Sequence, residues 1–269
     1  MQEYPSLKQT EFYFFRNLIK DTAGISLDSS KKRLVESRVL GLLKRKKIPN
    51  FDAYIEFLKT HPNEIDDFVN AMTTNLTSFF RENSHFDHLT QHLTKNLRGR
   101  TINVWSAACS KGHEAYSLMM ILEDLFEVHT DLSYRLLATD INTDVLNKAS
   151  RAVYSEDEIK DIPRDKLKKF FDMNQNKKEF RIKPFYQSKV KFRQFNLLHP
   201  QYSIPLEFDI IFLRNVLIYF NEEDRIQVTN SLVDKLKPSG LMYLGHSESV
   251  AELRSRCQIV GNSVFQKIK

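Results

Sequence analysis

The sequence predicts an α/β protein in which an all-helical N-terminal part precedes a mostly parallel sheet. Up to residue 70, apolar side chains recur near the 3.6-residue period of a helix, and no convincing strand appears. From Thr101 onward, short apolar runs alternate with helical stretches, as in βαβ units with right-handed crossovers. One run, FDIIFL, is apolar throughout, which is typical of a central strand buried on both faces.

Three amphipathic helices are predicted in the N-terminal part. Their apolar positions are Phe12, Phe15 and Leu18, then Val35, Val39, Leu42 and Leu43, then Phe51, Tyr54, Phe57 and Leu58. We expect this helical domain to cover residues 1–72. A connecting segment, which contains NLTSFFRE and a polar helix, is expected over residues 73–100.

The strands of the second part are expected within residues 101–269. The predicted strands are TINVWSAA, YRLLATD, VKFRQFN, FDIIFLRN and GLMYLGHS, with SVFQKI at the end. Residues 172–189 are too polar for a core helix. They are therefore expected to form a small antiparallel insertion before VKFRQFN.

The composition is that of a globular protein rather than a disordered or membrane-spanning one. The 269 residues are 41% hydrophobic and 28% charged, and no apolar run approaches the roughly 20 residues that span a bilayer. The first residues lack the basic and apolar regions of a secretory signal, so a cytoplasmic location is expected. Cys109 and Cys257 lack the CxxC spacing of a thiolate zinc site, and no metal is expected.

Polar side chains follow the predicted strands, where an open α/β sheet binds its ligand. The turn after the first strand, SAACSKGHEAYS, brings backbone amides and Gly112 to this edge, although a plain strand-to-helix turn explains the segment equally well. Asp140 follows the second strand, where a carboxylate usually accepts hydrogen bonds from ribose hydroxyls; a cap of the next helix is the alternative. Asn196 follows the third strand, and Arg214 and Asn215 follow the fourth.

Two phosphate-binding motifs are absent from the sequence. It contains neither GxGxxG nor GxxxxGK[ST], the glycine-rich turns that cradle dinucleotides and polyphosphates. The ligand expected at the strand ends is therefore a nucleoside without a polyphosphate.

Six segments resemble successive motifs of the CheR chemotaxis-receptor methyltransferases, in the same order and at similar spacing. The segments are NLTSFFRE, VWSAACSKGHEAYS, ATDINTDVLNKA, FNLL, FDIIFLRNVLIYF and LKPSGLMYLGHSES. NLTSFFRE and RNVLIYF are specific motifs, whereas the segments with Asp140 and GLMYLGHSES occur more widely among methyltransferases. The resemblance covers nearly the whole chain.

The resemblance implies a fold, a cofactor and a substrate. The expected fold is a helical domain that contacts the substrate, followed by a Rossmann-like class I methyltransferase domain with a small inserted antiparallel β-subdomain. The expected reaction moves a methyl group from S-adenosylmethionine to glutamate side chains on the cytoplasmic helices of chemoreceptors, giving glutamyl methyl esters and S-adenosylhomocysteine. Recruitment to receptor arrays at the membrane is expected, without membrane insertion or a stable nucleic-acid partner.

The resemblance also assigns residues to the site. Those expected to contact the cofactor are Asn75, Thr77, Arg81, Glu114, Asp140, Asn196, Leu197 and Asn215, and Arg214 joins them because it follows the fourth strand. Arg81 and Tyr219 are expected nearest the reacting methyl, as the catalytic pair. A glutamate is ionised near neutral pH and attacks without a general base, so Arg81 would orient it and Tyr219 would place its hydroxyl beside the methyl. The simpler interpretations are a surface ion pair for Arg81 and a buried aromatic for Tyr219.

One departure from the family pattern concerns the turn after the first strand. Where the family commonly reads STGEEPYS, this chain reads SKGHEAYS, with Lys111, His113 and Ala115 at the changed positions. Glu114, which is expected to meet the ammonium group of the cofactor, is retained. A lysine beside a sulfonium would weaken cofactor binding, so a non-catalytic sensor or scaffold that binds S-adenosylmethionine is the first alternative function.

A nucleic-acid methyltransferase is the second alternative, suggested by the isoelectric point of about 9.1. The sequence has RNVLIYF after the fourth strand instead of the Asn/Asp-Pro-Pro-aromatic motif used on exocyclic amines, and it lacks a prolyl-cysteine nucleophile. These absences make nucleic acid the less favoured substrate.

The net charge of +6 is concentrated in one predicted helix. Residues 31–47 hold eight basic residues and a single acid, Glu36. On a helix this places Arg33 and Lys44 opposite the apolar face, with Arg38 and Arg45 on its flank. A solvated face is the bland interpretation; we expect instead that these four basic residues bind the acidic receptor helix.

Overall fold

The computed structural model describes residues 4–96, 101–129, 132–174, 176, 178–199, 202–248 and 251–268. Four helices form the N-terminal part: α1 Gln9–Ala23, α2 Lys32–Lys46, α3 Phe51–Thr60 and α4 Ile65–Met72. The three helices expected from the apolar spacing are confirmed. Helix α4 is an additional helix that the spacing did not indicate.

Aromatic side chains fill the core between these four helices. Phe15 of α1 lies 5.6–6.4 Å, between ring centroids, from Phe51, Tyr54 and Phe68, and all four side chains are fully buried. The predicted apolar face of α2 packs into the same core, through Val35, Val39, Leu42 and Leu43. The charged face of α2 is thereby turned outward.

Seven more helices and ten strands follow among the described residues. The helices are α5 Ser84–Asn96, α6 His113–Val128, α7 Thr143–Arg151, α8 Glu156–Ile159, α9 Arg164–Phe170, α10 Pro184–Gln187 and α11 Glu222–Lys235. The strands are β1 Thr101–Ala107, β2 Ser133–Asp140, β3 Val153–Ser155, β4 Phe171–Asn174, β5 Glu179–Ile182, β6 Val190–Gln194, β7 Phe208–Leu213, β8 Leu236–Leu244, β9 Cys257–Gly261 and β10 Val264–Lys267.

Seven of the strands form one central sheet, in the order β6-β2-β1-β7-β8-β10-β9. Neighbouring strands from β6 to β8 are parallel, and β10 runs antiparallel to both of its neighbours. Every residue of β7 is buried, as expected for the run FDIIFL. The chain order reverses between β1 and β7, so a ligand crevice is expected beyond the carboxyl ends of these two strands.

The other three strands form a small antiparallel sheet in the order β3-β5-β4. The expected antiparallel insertion is therefore present. Its predicted range, 172–189, includes β5 and most of β4 but not β3, which follows directly on α7. Helices α8 and α9 separate β3 from β4 in the chain, so local polarity could not reveal the third strand.

The helical part packs directly against the sheet part. Helix α1 ends at Gly24, whose φ of 72° is the left-handed conformation that favours glycine. A Cβ at this position would lie 2.8 Å from the ring of Phe220, so the absence of a side chain permits the close approach. Lys20 also forms an ion pair with Asp224 of α11. None of the helices described is long and apolar enough to cross a bilayer.

Candidate active site

A cavity of about 490 Å³ lies at the carboxyl ends of β1, β2 and β7 and reaches the N-terminal helices. Ten residues predicted to contact the cofactor or the reacting methyl line it: Asn75, Thr77, Arg81, Glu114, Asp140, Asn196, Leu197, Arg214, Asn215 and Tyr219. The strand ends and the connecting segment thus bring these residues to one place. Their individual chemical roles stay predictions.

The floor of the cavity, which we define as Glu114, Asp140 and Arg214, is a largely buried group of charged side chains. The Arg214 side chain is 2% exposed, and its Nη1 donates to Glu114 Oε2 at 3.2 Å. Ser106 Oγ donates to the other oxygen of Glu114 at 2.7 Å. Burial nevertheless raises the pKa of Glu114, against the opposing effect of Arg214. The floor therefore favours a ligand that brings positive charge to Glu114.

Asp140 occupies the end of β2 with one hydrogen bond on each carboxylate oxygen. The amide of Ser110 donates at 2.8 Å and the amide of Asn142 at 2.9 Å, and burial raises the pKa of Asp140. Each oxygen keeps a second lone pair, which suits a vicinal diol. The alternative of a helix cap is wrong for Asp140, because the side chain of Asn142 caps α7 by accepting from the amide of Val145.

The changed side chains of the turn after β1 do not line the cavity. Lys111 and His113 are not among the residues that line it. His113 is 1% exposed and lies between the rings of Phe79 and Tyr154, with centroids 4.7 and 4.8 Å away. Burial lowers the pKa of His113 to about 4, so the ring is neutral near pH 7. These departures affect packing against the small sheet rather than the lining of the cavity.

Two acidic residues outside the predicted site organise it. Glu82 accepts from Nη2 of Arg214 at 3.0 Å and from Nδ2 of Asn215 at 3.1 Å. Glu248 is 6% exposed and accepts from the backbone amides of Asn215, Val216, Leu217 and Gly245 at 2.7–2.8 Å. The segments NLTSFFRE and GHSES that contain them were noted, but their position beside the loop after β7 was not predictable from spacing.

Glu82 also approaches two histidines, His85 and His246. The three side chains place one potential ligand atom each within 4.8 Å of one another. His85 donates through Nε2 to the carbonyl of Asn262, and burial together with Arg214 lowers its pKa to about 4. The guanidinium of Arg214 already supplies a positive charge to Glu82, so we assign no metal to this cluster.

The mouth of the cavity, defined here as Arg81 and Tyr219, is partly exposed. Nη1 of Arg81 donates to the carbonyl of Leu76 at 2.9 Å. Tyr219 ends a short helical turn, Leu217–Tyr219, and its carbonyl accepts from the amide of Ser26 at 2.8 Å. Neither side chain has the environment of its simpler interpretation: Arg81 forms no ion pair with a described residue, and Tyr219 is not fully buried.

Asn196 lies at the boundary between the two parts of the chain. Its Nδ2 donates to the carbonyl of Thr22 at 2.8 Å, and its Oδ1 accepts from the amide of Leu198 at 2.9 Å. Both polar groups are thus engaged with the protein. The neighbouring Leu197 is buried, and its carbonyl accepts from the hydroxyl of Tyr202 at 2.7 Å.

The basic residues of α2 divide into engaged and free ones. Arg38 is bonded to the carbonyl of Met72 and, at 2.8 Å, to Thr74 Oγ1, and it also lines the cavity. Arg45 forms an ion pair with Asp67 at 3.2 Å. Arg33 and Lys44 are exposed and form no ion pair with any residue that the structure describes. These two supply the freely accessible part of the predicted substrate surface.

Family models and curated relatives match nearly the whole chain. Residues 10–73 match the family model for the CheR methyltransferase all-alpha domain, and residues 75–265 match the model for the CheR methyltransferase SAM binding domain. The chemotaxis protein methyltransferase of Escherichia coli (strain K12) is 35% identical over 98% of this chain and 93% of its own. That of Borreliella burgdorferi is 36% identical over 87% of this chain and 86% of its own.

One solved structure that this chain resembles is distant in sequence. The N-methyltransferase NodS from Bradyrhizobium japonicum WM9, in complex with S-adenosylhomocysteine, covers 71% of this chain and 89% of its own at 16% identity, with a TM-score of 0.41.

The residues of the cavity suit the cofactor of that family. Asp140 is buried and Glu114 is largely buried, and burial raises the pKa of both carboxyls. A cationic ammonium would satisfy Glu114, and a ribose diol would satisfy Asp140. The family models cover both parts of the chain, and the curated relatives agree over almost its full length. The chain therefore belongs to the CheR methyltransferase family and is an S-adenosylmethionine-dependent methyltransferase.

Proposed function

We propose that this enzyme methylates the side-chain carboxylates of glutamates on the cytoplasmic helices of chemoreceptors. The products are glutamyl methyl esters and S-adenosylhomocysteine. The observation that carries the proposal is the contrast between the floor and the mouth. The floor carboxylates are largely buried, whereas the mouth is partly exposed and its Arg81 guanidinium forms no ion pair with a described residue. An anionic substrate is repelled by the floor and attracted by Arg81 at the mouth.

The predicted cofactor contacts would each bind a different part of the cofactor. Asp140 would accept from the ribose hydroxyls, and Glu114 would pair with the ammonium group. The cofactor supplies a methyl group made electrophilic by a sulfonium. We propose that Asn75, Thr77 and Asn215 contribute neutral polar contacts along the cavity. Asn196 and Leu197 would form its wall. The main role of Asn196 would be to hold the two parts of the chain together, through its hydrogen bond to Thr22.

The reaction at the mouth needs orientation rather than acid or base catalysis. The pKa of a free glutamate is about 4.3, so its carboxylate is already ionised. An oxygen of this carboxylate forms the bond to the methyl carbon, the carbon–sulfur bond breaks, and its electron pair remains on sulfur. No proton moves. Arg81 would hold the other carboxylate oxygen, while the hydroxyl of Tyr219 would restrict the attacking oxygen to the in-line direction.

The helical part, residues 1–72, is the proposed substrate-contact domain, joined by residues 73–100 to the catalytic part, residues 101–269. Arg33 and Lys44 on α2 would attract the acidic receptor helix. Arg38 and Arg45 would support this surface from their contacts with Thr74 and Asp67. We place the activity on the cytoplasmic side of the membrane, at receptor arrays.

Transfer of radiolabelled methyl groups tests the proposal. The enzyme, labelled S-adenosylmethionine and a chemoreceptor cytoplasmic fragment should give a labelled fragment whose label mild alkali releases as methanol, the behaviour of a carboxyl ester. RNA in place of the fragment should remain unlabelled. Label that resists alkali, or label in RNA alone, would contradict the proposed function. Cofactor binding without any transfer would support the sensor alternative, although the lining of the cavity by the predicted residues favours catalysis.

A further inference from the structure

Three large apolar side chains are exposed around the cavity. Leu34 is 38% exposed, Leu76 is 79% exposed and Ile218 is 55% exposed, and all three line the cavity. Ten large apolar side chains are exposed in the described part of the chain, so three at one opening is a concentration. We call these three residues the apolar rim.

The apolar rim lies directly beside the mouth. Leu76 supplies the carbonyl that accepts from Arg81, and Ile218 precedes Tyr219 in the same helical turn. Leu34 is one helical turn before Arg38, whose side chain donates to Thr74 at 2.8 Å. The hydrogen bond from Arg81 to the Leu76 carbonyl and the turn shared by Ile218 and Tyr219 place these two rim residues next to the reacting groups. A partner that inserts a carboxylate at the mouth is therefore expected to touch the rim.

The contacts proposed above for the cofactor use other residues of the cavity and none of the three rim residues. We propose that the apolar rim contacts apolar side chains next to the target glutamate, and thereby selects glutamates at the edge of the apolar stripe of an amphipathic receptor helix. This inference rests on the proposed function and specifies the substrate. On a helix, residues three and four positions from the target share its face and would meet the rim.

The charge next to the rim is consistent with such a partner. Arg33 is exposed beside Leu34 and would face the acidic flank of the same helix, while the rim faces its apolar flank. Glutamates surrounded by charged residues on the contacted face would be poor substrates, because their neighbours would lose hydration against Leu76 and Ile218. The rim would thus require apolar residues near the target glutamate, in addition to the charge attraction between the receptor helix and the basic surface of α2.

Replacement of rim residues by serine provides the test. Leu76→Ser and Ile218→Ser should each lower kcat/KM for a receptor fragment about tenfold, mainly through KM, and leave the affinity for S-adenosylhomocysteine in calorimetry unchanged. Ile259→Ser is the matched control, because Ile259 is 56% exposed on β9 and does not line the cavity. It should behave as the wild-type enzyme.

A second fragment identifies the contact on the substrate side. In this fragment the apolar residues three and four positions from the target glutamate are changed to serine. The kcat/KM of the wild-type enzyme should fall about tenfold with this fragment. The kcat/KM of Ile218→Ser should fall much less, because this variant has already lost its side of the apolar contact. Rim variants that match Ile259→Ser, or equal losses for both enzymes, would overturn the proposal. A wild-type enzyme that binds S-adenosylhomocysteine but methylates neither fragment would instead refute the proposed function, and the rim's role with it.

Discussion

The floor and the mouth of the cavity are built in opposite ways. At the floor, Asp140 and Arg214 are buried and Glu114 is largely buried, and each already forms hydrogen bonds within the protein. At the mouth, Arg81 and Tyr219 keep side-chain groups free for a partner and lie beside exposed apolar residues. The floor is thus formed in advance for one small ligand, while the mouth is left open for a larger surface. Variants of the two regions should therefore fail in different ways.

The largest effect is expected at the floor, from Asp140→Ala. Loss of two charge-assisted hydrogen bonds to the ribose should cost about 3 kcal/mol, which is roughly a 100-fold loss in affinity for S-adenosylhomocysteine. Calorimetry measures this directly. Asp144→Ala, which removes an exposed carboxylate from α7, should bind normally. If Asp140→Ala bound as tightly as that control, the assignment of the ribose site would be wrong.

At the mouth, Arg81→Ala should lower turnover more than it lowers cofactor affinity. Loss of the group that orients the carboxylate should reduce kcat about 30-fold, because the substrate would bind in many unproductive positions. Initial rates at saturating cofactor give the value, and Arg151→Ala, which changes an exposed arginine on α7, serves as the control. A loss of affinity for S-adenosylhomocysteine without a loss of kcat would move Arg81 from the mouth to the floor.

Beside the floor, His113 should make the fold sensitive to acid. Its pKa is about 4 in the folded state and about 6.5 when unfolded, so the unfolded chain binds the proton first as the pH falls. Stability should be constant above pH 6.5 and should fall between pH 6.5 and pH 4, by about 2 kcal/mol at pH 5 from this residue. Urea unfolding of the wild type and of His113→Phe measures the difference. Parallel curves would mean that the pKa of His113 is the same in the folded and unfolded states, contrary to this account.

Tyr219→Phe sharpens the description of the mouth. The ring contacts that support the N-terminal core remain, and only the hydroxyl is lost. We expect about a tenfold decrease in kcat with unchanged affinity for S-adenosylhomocysteine. Tyr13→Phe, which changes an exposed tyrosine outside the cavity, is the control. An unchanged rate would remove the Tyr219 hydroxyl from the mechanism.

The smallest effect is expected from the basic surface of α2. Arg33→Glu/Lys44→Glu should lower methylation of receptor fragments about threefold at low salt, and the difference should vanish as ionic strength rises. Reversal of Arg38 and Arg45 is less informative, because it would also break contacts with Thr74 and Asp67. Lys160→Glu/Arg164→Glu changes the net charge equally outside the cavity. Equal losses in both double variants would indicate a general charge effect.

The sequence predicted the charged residues of the floor better than the residues that hold the surrounding loops in place. Asp140, Asn196 and Arg214 follow strands, and parallel strands bring their carboxyl ends to one edge, so their proximity followed from the pattern alone. The anchoring of the loop after β7 by Glu248 did not, because it depends on how two distant loops fold against each other. For the same reason the hydrogen bond from Asn196 to Thr22 was not foreseen.

The basic helix shows a second limit of sequence patterns. Its apolar face was correctly placed, since helical periodicity fixes which residues point inward. Which of its charges are free was not predictable, because Arg45 meets Asp67 of α4, a helix that the apolar spacing did not indicate. Exposure of Leu76 and Ile218 was equally hidden, since an apolar residue in a motif is usually read as core.

The division between floor and mouth is tested most directly by methylation rates measured against cofactor concentration in Asp140→Asn and Arg81→Ala. We predict that saturating S-adenosylmethionine restores Asp140→Asn to within a few-fold of the wild-type rate, because only cofactor binding is weakened. Arg81→Ala should stay slow at every cofactor concentration. Rescue of Arg81→Ala by excess cofactor, with Asp140→Asn remaining slow, would contradict the account.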